Sequence, residues 1–202
     1  MKNYRRNLTI LAVLTALLII LGYFNLPMPA GLSITFNMIP VAVAAIALGP
    51  TGGAVIGGAF GMISFLQCFG ICGSSGMGAI LVNIDPFLTF IQRFIPRLLD
   101  GWLLGWLYRL LKDRTPVYVG CAVTGFFAAF FNTLFFMTSL VWLFEGTEYM
   151  QSSMAGRGVL AYIAAAVGIN GVVEMLVSTL LTGAVGTALV RARFATGQWR
   201  KE

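Results

Sequence analysis

Gln92, Arg93, Arg97 and Asp100 stand in an otherwise apolar stretch from Phe87 to Leu111. Moving one Arg or Asp to the centre of a bilayer costs about 2.5–3.5 kcal/mol on insertion scales, so such groups face other helices or a wet cavity. Polar groups at that depth point to a protein that binds or moves a solute. A guanidinium stays protonated and holds both oxygens of a carboxylate, so the chemistry on offer is anion recognition. Catalysis has less to build on. The chain has no histidine, and the intramembrane carboxylates are Asp100 and Glu174. A lipid-acting membrane enzyme with Glu174 as proton acceptor is the alternative these residues permit.

Counting ~1.5 Å per residue from the outer helix ends, Arg97 lies roughly 17 Å deep, with Asn132 and Asn170 near 18 Å. Glu174 comes one turn deeper, and Thr89, Gln92 and Arg93 lie nearer the outer mouth. Few polar groups on an apolar wall suffice for a pocket, and Phe90, Phe94, Phe131 and Phe135 can supply that wall. Arg93, the upper arginine, suits a ligand contact; the competing reading is an arginine snorkelling to the interface. Arg97 has Asp100 three residues on and Glu174 across from it, which suits a structural ion pair as well as a ligand contact. Asn132 and Asn170 suit amide or hydroxyl contacts, or equally interhelical bonds.

The elements that carry these residues follow from composition. With 58% apolar and 10% charged residues, against roughly 25% charged in soluble domains, the chain is an integral membrane protein. The net charge of +6 does not indicate nucleic acid, because the basic residues sit outside the apolar runs. Six membrane helices are expected in one domain spanning 1–202: Asn7–Phe24, Ser33–Leu48, Gly52–Gln67, Pro86–Leu111, Pro116–Phe144 and Gly158–Val190. The first follows Lys2, Arg5 and Arg6 like a signal peptide, but lacks a clear small-residue cleavage site and reads as a retained helix. Ten of the thirteen basic residues lie before the first helix, between the fourth and fifth, and after the sixth. The positive-inside rule makes that side cytoplasmic, with both termini inside. Outside lie 25–32, 68–85 and 145–157, connections that suit a lid or merely join helices. Cys68, Cys72 and Cys121 form no metal pattern. Cys68 and Cys72 read as small apolar filler or, alternatively, as an outer disulfide.

Gly49-Pro50-Thr51-Gly52 is a tight turn. It is not a phosphate loop, since it lacks the Lys and Ser/Thr of that motif. The chain has no visible means of using ATP and no expected cofactor, so energy must come from a partner. Ala12 and Ala16 on the first helix, Gly53, Gly57 and Gly61 on the third, and Gly101 and Gly105 on the fourth recur every four residues. Such stripes let another helix approach closely. There is no convincing repeat between 1–100 and 101–202, which argues against a self-sufficient secondary transporter. A purely structural subunit leaves Arg93 and the outer connections without a role.

Together these pieces resemble the substrate-binding S components of energy-coupling factor (ECF) vitamin transporters. The run from Phe36 to Gly58 is similar to the family's second helix, Gly-Pro turn and third helix. Ile95-Pro96-Arg97-Leu98-Leu99-Asp100-Gly101 is similar to its Pro-Arg stretch, and Ala12-Val-Leu-Thr-Ala16 to its helix-one motif. The stretch Ser64–Gly70, Asn83–Phe87 and the Pro-Arg segment looks most like pantothenate-specific members; riboflavin, folate and pyridoxine members share the general pattern. The resemblance implies an all-α, six-helix protein of a prokaryotic cell membrane that binds a small water-soluble vitamin. It further implies that Ala12 and Ala16 contact a transmembrane coupling protein driven by two cytoplasmic ATPases, and that the whole S component topples to deliver its vitamin. Gln92, Arg93, Arg97, Asn132, Asn170 and Glu174 are the candidate substrate contacts.

Overall fold

The computed structural model describes residues 2–23, 26–27, 33–34, 36–154, 156 and 158–192. Within them it describes side chains except those of 2–4, 26–27, 33–34, 159–167 and 169–170. The chain is built from helices: α1 (Lys2–Tyr23), α2 (Met38–Leu66), α3 (Gly76–Ile84), α4 (Pro86–Leu111), α5 (Val117–Phe144), α6 (Glu148–Met154) and α7 (Val159–Arg191). Two short strands, β1 (Leu26–Pro27) and β2 (Ser33–Ile34), pair antiparallel between α1 and α2. Ser33 therefore belongs to a strand, where a helix start was expected. Pro40 supplies the reason. It lacks an N–H and is tolerated only in a first turn, where the N–H groups have no partner, so the helix begins at Met38.

α2 is not one straight rod. Gly49 adopts φ 75°, ψ −163°, a conformation open mainly to glycine. Residues eight apart in a continuous helix lie about 12 Å apart, yet a Cβ on Gly53 would come 3.1 Å from the Cβ of Ala45. The chain reverses at Gly49-Pro50 into two arms, 38–48 and 50–66. The second arm packs antiparallel on α4. A Cβ on Gly53 would run into the carbonyl of Gly101, one on Gly57 into that of Arg97, and one on Gly61 would lie 2.8 Å from the Cα of Phe94. Each step of four residues up one helix is met by a comparable step down the other, and Gly105 closes the seam against Pro50. The two glycine stripes are thus each other's partners, and α2 with α4 forms the most extensive helix contact. α5 and α7 make a second antiparallel pair, in which Gly125 abuts the Ser178 carbonyl and Gly186 would place a Cβ 3.0 Å from Cys121 Sγ.

α4 begins where the sequence commands it. Asp85 is extended, its carboxylate accepts from the N–H groups of Phe87 (2.9 Å) and Leu88 (3.0 Å), and Pro86 occupies the first position. α7 departs from the continuous helix expected over 158–190, because Gly168 adopts φ 36°, ψ −135°. Among the described residues, four stretches are long and apolar enough to cross a membrane: Arg5–Tyr23, Met38–Phe69, Val117–Phe144 and Gly171–Arg191. α4 is absent from that set because it carries Arg93, Arg97, Asp100 and Arg109. Its first three charged residues are nonetheless buried.

The connections 68–85 and 145–157 are partly helical, and they are more than joins. Met77 and Leu81 of α3 and Met150 of α6 bury themselves against Met137, Leu140, Val141 and Phe144 at the end of α5. A separate core joins Leu14 and Leu18 of α1 to both arms of α2 and to Leu104. Gln67 ties α1 to the segment after α2, donating to the carbonyls of Gly22 (3.2 Å) and Cys72 (3.1 Å).

Candidate functional site

The inward face of α4 presents Thr89, Gln92, Arg93, Arg97 and Asp100, all buried. Side chains on a helix lean toward its N-terminus, which here carries both arginines toward α3 and α6. Arg93 donates from one terminal nitrogen to Ser64 Oγ on α2 (3.3 Å) and from the other to Ser75 Oγ at the N-cap of α3 (3.3 Å). Its Nε has no partner among the described residues. Among the described residues no carboxylate lies within 4 Å of it. A buried cation held by two long, neutral hydrogen bonds has most of its charge unanswered.

Arg97, one turn further along, donates to the backbone carbonyl of Arg93 (2.9 Å), and its Nε also lacks a partner among the described residues. Its guanidinium carbon lies 4.6 Å from the ring centre of Phe60 on α2 and 5.1 Å from that of Phe136 on α5. Arg93 lies 5.1 Å from the same Phe136 ring. Two guanidinium groups therefore share one aromatic ring, which offers each some compensation through its quadrupole. Gln92 Nε2 donates to the Phe136 carbonyl at 3.5 Å, and its buried Oε1 has no partner among the described residues.

The expected pairing of Arg97 with Asp100 is not made as an ion pair within 4 Å. Both oxygens of Asp100 are buried without a hydrogen-bond partner among the described residues. The reason is directional. The long Arg97 side chain reaches back past its own turn to residue 93, whereas the short Asp100 stays near its own backbone. Asn132 is half-buried with its Oδ1 unpartnered. The side chain of Asn170 lies outside the described residues.

The wall also differs from expectation. Phe136 and Phe60 face the guanidinium groups, while Phe90 stacks on Phe94 (5.2 Å) and meets Phe65 edge-on. Phe135 lines an outward groove with Ile95, Leu99 and Trp142. Phe131 packs against the core around α1 and α2. One helical position separates an inward Phe136 from an outward Phe135, a turn of about 100°. α3 closes over the arginine site: a Cβ on Gly78 would meet Cys68 Sγ at 2.6 Å and Arg93 Nη2 at 3.0 Å. Cys68, Cys72 and Cys121 are free thiols, and Cys68 donates to the Ser64 carbonyl (3.4 Å).

The interior of the bundle thus holds two buried guanidinium groups against the rings of Phe60 and Phe136. A family model described as "ECF transporter, substrate-specific component" matches residues 6–186. The chain belongs to that family. It is a substrate-specific component of a transporter and not an enzyme. It is 29% identical to the pantothenate transporter PanT of Leuconostoc mesenteroides subsp. mesenteroides, over 84% of this chain and 82% of that one. It is 27% identical to the pantothenic acid transporter PanT of Lactococcus lactis subsp. cremoris, over 95% and 97% of the two chains. Its fold is similar to that of the crystallised S component for biotin from an ECF-type ABC transporter. That likeness has a TM-score of 0.62 and 21% identity, covering 96% of this chain and 98% of that chain.

In this S component, sequence reasoning missed Ser64, Ser75, Phe60 and Phe136. Three of them carried a signal. Phe60 and Ser64 are four apart on the arm that bears the Gly57 and Gly61 stripe, and Phe136 follows Asn132 by one turn. Ser75 carried none, since nothing in a Gly- and Ser-rich connection says which serine will reach an arginine.

Proposed function

We propose that this S component binds pantothenate and delivers it across the cell membrane of a prokaryote. The observation that carries the reading is Arg93, a buried guanidinium with no carboxylate within 4 Å among the described residues. Pantothenate has one carboxylate, one amide and two hydroxyls. Its carboxylate is the charge that Arg93 lacks, and the two serine contacts at 3.3 Å are weak enough for it to displace. Arg97, sharing the Phe136 ring, adds a second positive charge to the same place. Gln92, Asn132 and Asn170 are assigned to the amide and hydroxyl groups, and Glu174 to balancing Arg97 or to a hydroxyl. The names of the two PanT relatives agree with this choice. S components for riboflavin, folate or pyridoxine are the runner-up reading.

The test is a thermal-shift screen of the detergent-purified chain against pantothenate, riboflavin, folate, pyridoxine, thiamine and biotin. A ligand that binds only the folded state stabilises it by RT ln(1 + [L]/Kd), about 2.7 kcal/mol at a hundredfold excess over Kd. A shift with pantothenate alone supports the proposal. A shift with another vitamin instead overturns it.

The topology we infer has six spans, counting the two arms of α2 separately, with both termini cytoplasmic as the basic residues require. No cofactor is assigned to this chain. ATP is used by two partner ATPases, which act through a transmembrane coupling protein. Ala12 and Ala16 are assigned to the coupling-protein interface. Both are exposed on α1, whose opposite face buries Leu14 and Leu18. Leu8, Ile20 and Tyr23, more than half exposed, extend the same surface. Replacing Ala12 and Ala16 together by Trp should abolish co-purification with the coupling module while pantothenate still raises Tm. Intact assembly would remove this face from the interface.

A further inference from the structure

Asn37 is completely buried at the start of α2, and neither its Oδ1 nor its Nδ2 has a hydrogen-bond partner among the described residues. A carboxamide offers one acceptor and two donors, and burying it unpaired is among the more costly things a core can do. Asn37 stands at the N-cap position of α2, where Asn commonly caps. Here its backbone is already helical (φ −65°, ψ −15°) and its side chain makes no capping bond. Helix capping therefore does not explain it.

Its place in the bundle does. The first arm of α2 runs alongside α4, with Val41 against Gly101: a Cβ on Gly101 would lie 3.2 Å from Val41 Cγ1. One turn back along each helix, on the same faces, stand Asn37 and Arg97. On the other arm the turn at Gly49 sets Ala45 against Gly53, which brings Asn37 level with Gly61, the residue seated on Arg93 and Phe94. Two independent registers thus put Asn37 at the level of the two arginines. Other buried polar atoms without partners there are Arg93 Nε, Arg97 Nε, Gln92 Oε1 and Asn132 Oδ1.

We propose that Asn37 is a substrate-recognition residue, which pairs with an uncharged polar group of the ligand, an amide or hydroxyl, while the arginines hold its carboxylate. The inference rests on the pantothenate reading and extends the site onto α2, which contributes no candidate from its charge pattern. It also explains why an unpaired amide persists in an apolar core: the ligand completes it.

The experiment compares the wild-type chain with Asn37→Leu and Asn37→Ala by titration calorimetry with sodium pantothenate and by thermal unfolding without ligand. An apolar side chain of similar size removes the unpaired amide, so the unliganded Asn37→Leu chain should unfold at the same temperature or higher. Its Kd for pantothenate should rise roughly tenfold or more, the effect of losing one or two buried hydrogen bonds. Asn37→Ala should lose affinity in the same direction, and it decides the matter if Leu does not fit. Affinity within twofold of wild type in a folded variant overturns the proposal. So does a collapse of unliganded Tm in both variants, which would make Asn37 a residue the fold itself requires. A wild-type chain that gives no heat with pantothenate overturns the pantothenate reading and this inference with it. Wild-type binding that Arg93→Ala abolishes but the Asn37 variants do not overturns the role of Asn37 alone.

Discussion

Arg93→Ala should weaken pantothenate binding by about a hundredfold to a thousandfold while leaving the bundle folded. Truncating one partner of a buried, hydrogen-bonded charge pair costs about 3–5 kcal/mol, because the other charge stays buried and unpaired. In the complex that stranded charge is the ligand carboxylate. In the unliganded protein the loss is much smaller. Arg93 gives up two bonds of 3.3 Å to Ser64 and Ser75 and its place over Phe136, but it breaks no ion pair among the described residues. Removing it also lifts the burial of an unanswered charge. Arg93→Lys should recover only part of the affinity, since an ammonium cannot hold both oxygens in one plane. The decisive comparison uses pantothenol, in which an alcohol replaces the carboxylate. Wild type should strongly prefer the acid, and Arg93→Ala should erase most of that preference. A variant that still prefers pantothenate by the wild-type margin would take Arg93 out of the site.

Gly57→Leu should destabilise the protein by about 3 kcal/mol or more, at the upper end of what overpacking costs. A Cβ at Gly57 runs into the carbonyl of Arg97, so the obstacle is backbone, and the α2 arm and α4 must separate to admit it. The movement would displace the turn of α4 that carries Arg93 and Arg97, so ligand affinity should fall with stability. Gly58 is the internal control. It stands next to Gly57, but a Cβ there would meet the Phe94 ring at 3.6 Å and Leu98 Cδ1 at 3.8 Å, ordinary contacts. Gly58→Ala should be neutral or, through helix propensity, stabilising by up to about 1 kcal/mol. Thermal unfolding in detergent reads both. Equal Tm values for the two variants would mean that the glycine stripe does not set the distance between these helices.

Much of this protein is decided by rules that act within a few residues of one another. Asp85 followed by Pro86 starts α4 because a carboxylate can satisfy free N–H groups and proline needs none. Gly49-Pro50 interrupts α2 because one residue permits positive φ and the other cannot continue a hydrogen-bonded turn. The apolar composition decides the solvent, and the arginines and Asp100 within it decide that something polar must be housed. The motifs around Phe36–Gly58 and Ile95–Gly101 were sufficient to recognise the family to which the chain belongs.

What lies across helices was decided by the tertiary structure. Periodicity says that Gly53, Gly57 and Gly61 share a face, but not that Gly101, Arg97 and Phe94 will meet them. Arg97 and Asp100 are neighbours by spacing, yet the guanidinium turns toward the Arg93 carbonyl and the rings of Phe60 and Phe136. Phe135 and Phe136 are indistinguishable as residue types, and only the rotation of α5 against α4 sends one outward and the other onto the arginines. Ser75 reaches Arg93 because α3 folds over the end of α5, and Asn37 comes level with Arg97 because Val41 seats on Gly101. The physical reason is the same in each case. Helix geometry dictates which side chains share a face through local bonds alone, whereas the partner of that face is chosen by packing among segments distant in sequence.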